Sequence, residues 1–265
     1  MLAPLVITLF ALGLVAGTLG ALLGLGGGVI LVPVLNLLGF PMQTAIGAGL
    51  VCVIATSTAA AGVYVQRQWA DVRLGMLLEL GTVLGAISGA LLVTLLPDNL
   101  LKGMFGVFLL YAAGLLWRRP PPVAEEITET LPDYRVRNYP LGIGVCYAAG
   151  GVSGLLGIGG GPIQVPLMYL SMGVPLKVAA ATSNFIMGVT AAASACLYYG
   201  RGQVVVALTA PLVLGVFVGA QLGSRLAPRV RSRVVQVLLI LVLLGLALIM
   251  LVEALGFPLP WRGGS

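Results

Sequence analysis

The chain contains no histidine and very little charge. Among its 265 residues, 8% are charged, only eight of them are acids, and the three cysteines form no CxxC pair. Imidazole is the usual acid–base group near neutral pH and the commonest metal ligand, so its absence argues against haem, most zinc sites and most acid–base catalysis. We therefore expect a protein that is not an enzyme and that uses neither a cofactor nor a metal site.

Apolar residues fill most of what remains. They make up 59% of the chain, and the mean hydropathy is +1.10. Apolar stretches long enough to cross a bilayer recur from end to end, which predicts an all-α polytopic membrane protein with the lipid bilayer as a partner. The net charge of +6 resides in short loops, which is typical of membrane topology and not of nucleic-acid binding. The opening stretch MLAPLVITLF lacks a positively charged start, so we interpret it as the first span and not as a cleaved signal peptide.

The order of elements is repeated in the two halves. We predict a first transmembrane repeat over 1–117, a polar cytosolic linker over 118–138 and a second repeat over 139–265, all within one membrane domain. Hydrophobicity and turn residues predict spans at 3–23, 42–65, 73–96, 100–117, 139–157, 175–199, 203–224 and 234–255. With the two short helices described next, the chain has eight to ten transmembrane helices.

A glycine-rich stretch occurs once in each half. Residues 23–33 read LGLGGGVILVP and residues 156–166 read LGIGGGPIQVP, a spacing of 133 residues. Each glycine costs a helix about 1 kcal/mol relative to alanine, so both stretches predict a break, followed by a short discontinuous or re-entrant helix. Irregular backbone at membrane depth is tolerated only inside protein or beside a cavity. Paired breaks of this kind indicate the binding site of a secondary transporter.

A helix that begins at such a break offers an anion four free N–H groups and the positive end of its dipole. The backbone candidates are Gly27 and Gly28 in the first half, and Gly160 and Gly161 in the second. Two such starts that face each other would hold an oxyanion near the midplane without a buried cation. The alternative is that the glycines only permit helices to cross closely.

Polar side chains near the breaks extend this candidate site. Hydroxyl and amide donors suit sulfonate or carboxylate oxygens. The candidates are Gln164, Thr182, Ser183, Asn184, Thr56 and Ser57. The alternative for each hydroxyl is a hydrogen bond to its own backbone, one turn back.

Topology follows from the basic residues. An odd number of crossings in each half inverts the second half relative to the first. With the N-terminus outside and the linker in the cytosol, eleven of the 14 basic residues are cytosolic, while Lys102, Arg201 and Arg262 lie outside. This bias agrees with the positive-inside rule, so we predict two inverted-topology repeats.

Acids within the predicted spans are scarce. Only Glu79 and Glu253 are candidates, and each is expected near the end of a span. Proton-coupled carriers usually contain an intramembrane carboxylate or histidine. An anion that leaves a cell with a negative interior gains about 2.3 kcal/mol per charge for each 100 mV, so the sequence favours anion efflux driven by the membrane potential, or weakly coupled uptake, over a proton relay.

Several motifs together resemble the sulfite exporter TauE/SafE family, of the 4-toluene sulfonate uptake permease superfamily. They are the duplicated glycine run with its proline, the G-x-P turns at 39–41 and 173–175, Ala-Thr-Ser at 181–183, and G-x3-G-A-x2-G in both halves. The resemblance implies a multi-pass carrier of small sulfur-containing or carboxylate anions in a bacterial or archaeal inner membrane. It also implies roles for Thr182 and Ser183, whose first-half equivalents are Ala48 and Gly49.

The sequence therefore predicts a membrane transporter of sulfite- or sulfonate-type anions such as sulfite, thiosulfate and sulfoacetate. Its partners are a small anion and the bilayer, and a homodimer is compatible with the sequence. The alternative function is a structural or accessory membrane subunit that transports nothing by itself.

Overall fold

The computed structural model describes residues 2–23, 26–66, 69–118, 134–226 and 232–256. Within these residues the chain is helical and contains no strand. The helices are α1 (Leu2–Leu23), α2 (Gly28–Leu37), α3 (Met42–Gln66), α4 (Val72–Leu92), α5 (Asp98–Arg118), α6 (Tyr139–Leu156), α7 (Gly161–Leu170), α8 (Leu176–Gly200), α9 (Val206–Leu226) and α10 (Ser232–Ala254), and a 3-10 turn over Val93–Leu95 follows α4. The all-α architecture predicted from the sequence is confirmed.

Turn residues set several of the helix ends. Asp71 caps α4, because its Oδ1 accepts a hydrogen bond of 2.9 Å from the backbone N–H of Leu74, as aspartate does at many helix starts. Gly39 and Gly173 adopt positive φ angles of 96° and 71° in the two G-x-P turns. Proline then begins each following helical stretch, because it cannot continue the preceding helix. These signals explain why the predicted boundaries lie close to the observed ones.

Seven of the described helices are long and apolar enough to cross a membrane: α1, α3, α4, α5, α6, α8 and α9. The helices α2 and α7 have ten residues each, which corresponds to about 15 Å at 1.5 Å per residue. That length is about half of a hydrocarbon core roughly 30 Å thick. The helix α10 has 23 residues, and its stretch Leu239–Ala254 is apolar.

The G-x3-G-A-x2-G motifs are contact surfaces between helices. In α4, a Cβ at Gly85 would overlap the carbonyl oxygen of Tyr147 on α6, and a Cβ at Gly81 would lie 2.7 Å from that of Ile143. In α9, Gly215 and Gly219 approach α1 in the same way. These glycines let helix backbones meet, which is how helices associate in lipid.

The direction of the helices follows from their contacts. Glu79 of α4 bonds Thr190 of α8, while Arg201, just beyond the end of α8, bonds the carbonyl of Ala90 near the end of α4. These two helices are therefore parallel, and so are α4 and α6, which meet at successive glycines. Because α6 and α8 both run with α4, α7 must return the chain between them.

The hairpin formed by α6 and α7 begins and ends at one face of the protein. The side-chain amide of Asn138 before α6 donates to the carbonyl of Ser171 after α7, at 3.1 Å, and Arg137 N–H donates to Met172 O at 3.1 Å. The inverted repeat stays a prediction. It requires α4, α6 and α8 to run in the same direction, as they do here. Of the predicted linker, residues 119–133 lie outside the described part of the chain.

Candidate functional site

Each glycine stretch lies between the end of one helix and the start of the next. In the first half α1 ends at Leu23 and α2 begins at Gly28; in the second half α6 ends at Leu156 and α7 begins at Gly161. Gly24 and Leu25 lie outside the described residues. Gly157, Gly159 and Gly160 have φ angles of 72°, 81° and 77°, a region that only glycine enters without strain. The second break therefore depends on glycine for its backbone path.

The two breaks contact each other in the interior. A Cβ at Gly28 would overlap the carbonyl oxygen of Gly157, and a Cβ at Gly26 would lie 3.6 Å from the carbonyl oxygen of Ile158. All four residues are buried. The start of α2 thus lies directly against the turn that leads into α7.

Apolar side chains fill the junction between the breaks. Val53 of α3 and Met187 of α8, which occupy equivalent places in the two halves, are both fully buried. A Cβ at Gly159 would lie 2.7 Å from Val53 Cγ1 and 3.1 Å from Met187 Sδ. The contact between the breaks is therefore tight and apolar, and the polar groups lie to either side of it.

The start of α7 offers fewer N–H groups than the sequence analysis assumed. Pro162 has no N–H, and the N–H groups of Ile163 and Gln164 both donate to the carbonyl of Gly160 at 3.1 Å. Of the first four helical N–H groups, only those of Gly160 and Gly161 remain to receive a ligand. The expectation of four donors is wrong for this helix, because proline replaces one and a tight first turn uses another.

Side-chain donors make up part of the difference. Ser183 of α8 donates a hydrogen bond of 3.1 Å to Oε1 of Gln164 on α7, and both residues are fully buried. Nε2 of Gln164 would lie 3.2 Å from a Cβ at Gly160, and it has no hydrogen-bond partner among the described residues. An unused amide donor beside a helix start is well suited to an anionic oxygen.

Asn184 and Ser57 connect this cluster to α3. The Ser57 hydroxyl donates to the backbone carbonyl of Asn184, across the crossing of α3 and α8. The Asn184 amide donates to Ala180 O at 2.9 Å, while its Oδ1 is buried and has no partner within the described part of the chain. Since Oδ1 is an acceptor, it suits a proton donor such as water better than an anion.

Thr182 faces a different part of the protein from Ser183. Its hydroxyl accepts a hydrogen bond of 2.9 Å from the backbone N–H of Asp71, whose Oδ2 accepts one of 2.5 Å from Tyr134. Burial, this hydrogen bond and the nearby Asp71 charge raise the pKa of Tyr134. Thr182 thus belongs to a junction between α4, α8 and the end of the linker.

Thr56 faces the first break. Its hydroxyl donates to Cys52 O at 2.9 Å, one turn back on α3, so the alternative considered for the hydroxyls holds here. Its Oγ1 would lie 3.4 Å from a Cβ at Gly27. The structure therefore pairs Ser183 with Gln164 and Ser57 with the backbone of Asn184, and it gives Thr56 and Thr182 other partners.

Two residues with functional potential were missed or misplaced by the sequence analysis. Ser153 of α6 is fully buried and its hydroxyl has no partner in the described regions; a lone serine in a glycine-rich run carries no signal of this. Glu79, expected near the end of a span, is the eighth residue of α4 and accepts a hydrogen bond from Thr190. The repeat could have drawn attention to Thr190, the partner of Glu79, because Thr190 occupies the place in the second half that Thr56 occupies in the first.

Known proteins resemble the chain over most of its length. The family model described as Sulfite exporter TauE/SafE matches residues 9–250. The probable membrane transporter protein YunE of Bacillus subtilis (strain 168) is 31% identical over 264 residues, which cover 92% of this chain and 97% of the relative. The probable membrane transporter protein ORF9 of Sinorhizobium sp is 26% identical, with 92% of each chain covered. No solved structure matches.

The match over residues 9–250 includes both glycine breaks and all of the polar side chains described above. The seven candidate spans agree with a multi-pass membrane protein, and the relatives are named as membrane transporters. The chain therefore belongs to the sulfite exporter TauE/SafE family and is a membrane transporter.

Proposed function

We propose that this transporter carries small anions of the sulfite and sulfonate type, such as sulfite, thiosulfate and sulfoacetate. The anion binds beside the start of α7, where the backbone of Gly160 and Gly161 and the side-chain amide of Gln164 supply donors and the Ser183 hydroxyl holds that amide in place. The membrane potential drives its movement, since a negatively charged cargo gains free energy on leaving a cell with a negative interior.

The observation that carries this proposal is the unused amide of Gln164. A buried donor without a partner costs a protein about 1–3 kcal/mol. This cost applies to Gln164, because the residue is fully buried and its Nε2 has no hydrogen-bond partner among the described residues. An anionic ligand would recover that free energy, and the positive end of the α7 dipole would add to it.

The arrangement also suits alternating access. The breaks of the two halves touch through glycines and through Val53 and Met187, which offer no hydrogen bonds to hold them together. In carriers built from repeats, movement of one repeat against the other exposes a midplane site to each side in turn. The first break takes part in this mechanism as backbone, with Gly27 and Gly28 facing Thr56 and the second half.

The first test measures binding on the purified protein. Thermal shift with sulfite, thiosulfate, sulfoacetate, taurine and acetate should show stabilisation by at least one sulfur oxyanion. Gln164→Leu should weaken binding by about tenfold or more, because a hydrogen bond to a charged group contributes about 1.5–3 kcal/mol. Ser183→Ala should also weaken binding, because it removes the hydrogen bond that holds the Gln164 side chain in place. Thr58→Val is the matched control: that exposed hydroxyl bonds only Ile54 O in its own helix, and its removal should leave binding unchanged.

The second test measures flux in reconstituted vesicles. The anion that binds should cross the membrane at a rate that responds to an imposed potential, and Gln164→Leu should slow it. An absence of flux for the whole panel, or binding that is indifferent to Gln164 and Ser183, would contradict the proposal.

A further inference from the structure

Glu79 is an acid in the middle of a membrane helix. It lies on the face of α4 that contacts α8, together with Gly75 and Ala86. It is eight residues beyond Asp71, the cap of α4, and therefore about 12 Å along the helix axis. In a core about 30 Å thick, that position is close to the midplane, where ionisable residues usually have a function.

One of the two carboxyl oxygens of Glu79 has a hydrogen-bond partner among the described residues, and the other has none. Oε1 accepts a hydrogen bond of 3.0 Å from Thr190, whereas Oε2 is shielded from solvent and has no partner among the described residues. The groups that face it are the hydroxyl of Thr190 on α8 and the thiol of Cys146 on α6, which interacts with it electrostatically. Within the described residues, the one ion pair joins Lys102 and Glu253, elsewhere in the molecule.

These surroundings favour a proton as the ligand of Oε2. An ionised carboxylate without a cation is costly in such a place, whereas a protonated carboxyl group is not. A metal ion would need further ligands, and the described residues contain no group of three acid, thiol or imidazole side chains that could hold one. Thr190 thus holds Oε1 of Glu79, and Oε2 is available to bind a proton.

The position of Thr190 connects this acid to the proposed anion site. Ser183 and Thr190 lie seven residues apart on α8, which is two turns and about 10 Å on one helix face. An anion held by Ser183 and Gln164 would be repelled by an ionised Glu79 across an interior of low dielectric constant. The bound anion should therefore favour the protonated form of Glu79, and the protonated form should favour the anion.

We propose that Glu79 is a proton-binding site through which this carrier moves one proton together with each anion. The inference rests on the proposed function. On one side of the membrane a proton forms an O–H bond with Oε2, and on the other side that bond breaks and the proton leaves with the anion. A doubly charged anion with one proton still carries one net negative charge, so the membrane potential still drives it.

The test uses the full-length protein in vesicles with sulfoacetate as the transported anion. A pH-sensitive dye inside the vesicles should report one proton with each sulfoacetate for the wild type. Glu79→Gln, which keeps the shape and removes the titratable group, should carry sulfoacetate without protons, and the charge moved per anion should rise twofold. Asp98→Asn is the matched control, since it removes an exposed carboxylate at the start of α5 and should leave the proton-to-anion ratio unchanged.

Binding gives a second measurement that requires no transport. Wild-type affinity for sulfoacetate should fall by up to about tenfold for each unit of pH once Glu79 is ionised, because one proton binds with each anion. Glu79→Gln should make the affinity independent of pH.

The outcomes separate the two proposals. Sulfoacetate flux without proton flux in the wild type would overturn the role of Glu79 and leave the anion site intact, even if the variant did not fold. Unchanged proton coupling in Glu79→Gln would overturn it as well. An absence of flux for every anion in the panel would instead remove the proposed function, and this inference with it.

Discussion

The two glycine breaks share a backbone design but differ in their side chains. Each is followed by a ten-residue helix with a proline at its sixth position. Where the second half has Gln164, Ser183 and Asn184, the equivalent places of the first half hold Leu31, Gly49 and Leu50. The polar groups of the candidate site therefore come mainly from one half.

Packing explains part of this difference. A Cβ at Gly49 would overlap a methyl group of Val32 and lie 3.3 Å from the carbonyl oxygen of Gly157. A serine there, like Ser183, would have no room. In the first half, the position equivalent to Ser183 is therefore Gly49, whose small size lets the second glycine stretch pack against α3.

The largest effect is expected from filling the contact between the breaks. Gly28→Val adds a side chain where a Cβ already overlaps the carbonyl of Gly157, so we expect destabilisation of at least about 3 kcal/mol or loss of the folded protein. Gly62→Val on α3 is the control, because a Cβ there meets nothing within 4 Å. Thermal unfolding in detergent measures both, and a stable Gly28→Val protein would contradict the observed contact.

A reciprocal exchange between the halves should have an intermediate effect. Leu31→Gln buries an amide in a fully buried, apolar position and should destabilise the protein by about 1–3 kcal/mol. Gln164→Leu should destabilise the protein less, because it removes one amide donor that has no partner among the described residues and leaves the Ser183 hydroxyl without its acceptor, while anion binding weakens by about tenfold or more. Thermal unfolding and anion binding should both be measured for Leu31→Gln and for Gln164→Leu. Equal destabilisation by the two changes would show that the halves do not differ as described.

The smallest effect concerns the hydrogen bond of Tyr134 to Asp71. Tyr134→Phe should cost about 1 kcal/mol near neutral pH. Since the folded state raises the pKa of Tyr134, this stabilisation is complete below pH 10, the ordinary tyrosine pKa, and is lost as the pH rises through the folded-state pKa. Unfolding of both proteins at pH 8 and pH 11 should show the difference shrinking; a constant difference would contradict it.

Much of the fold was predictable because its signals are local. The G-x-P turns, the glycine runs and the lengths of apolar stretches each act within a few residues, and the predicted spans agree closely with the helices. The small residues of α4 and α9 are visible in the sequence as repeated glycines, and they contact α6 and α1. The structure adds the identity of those partners, which depends on residues far apart in the sequence.

The candidate site was less predictable, because a side chain's role depends on which neighbour it meets. Thr182 and Ser183 are adjacent in sequence, yet one bonds Asp71 and the other Gln164, since consecutive residues on a helix point in directions about 100° apart. Thr56 and Ser57 diverge for the same reason. One feature of the site could have been predicted: Pro162 has no backbone N–H, and the sequence places this proline at the start of α7.

The amino-acid sequence alone determined a bundle of apolar helices, and it predicted two glycine breaks and two repeats. Hydrophobicity, helix propensity and repetition are properties of the chain itself. The tertiary structure decided that the two glycine stretches touch, that Gln164 and Ser183 meet at α7, and that Glu79 accepts a hydrogen bond from Thr190. These facts follow from which helix faces meet, because burial without a partner becomes costly only when packing has excluded water.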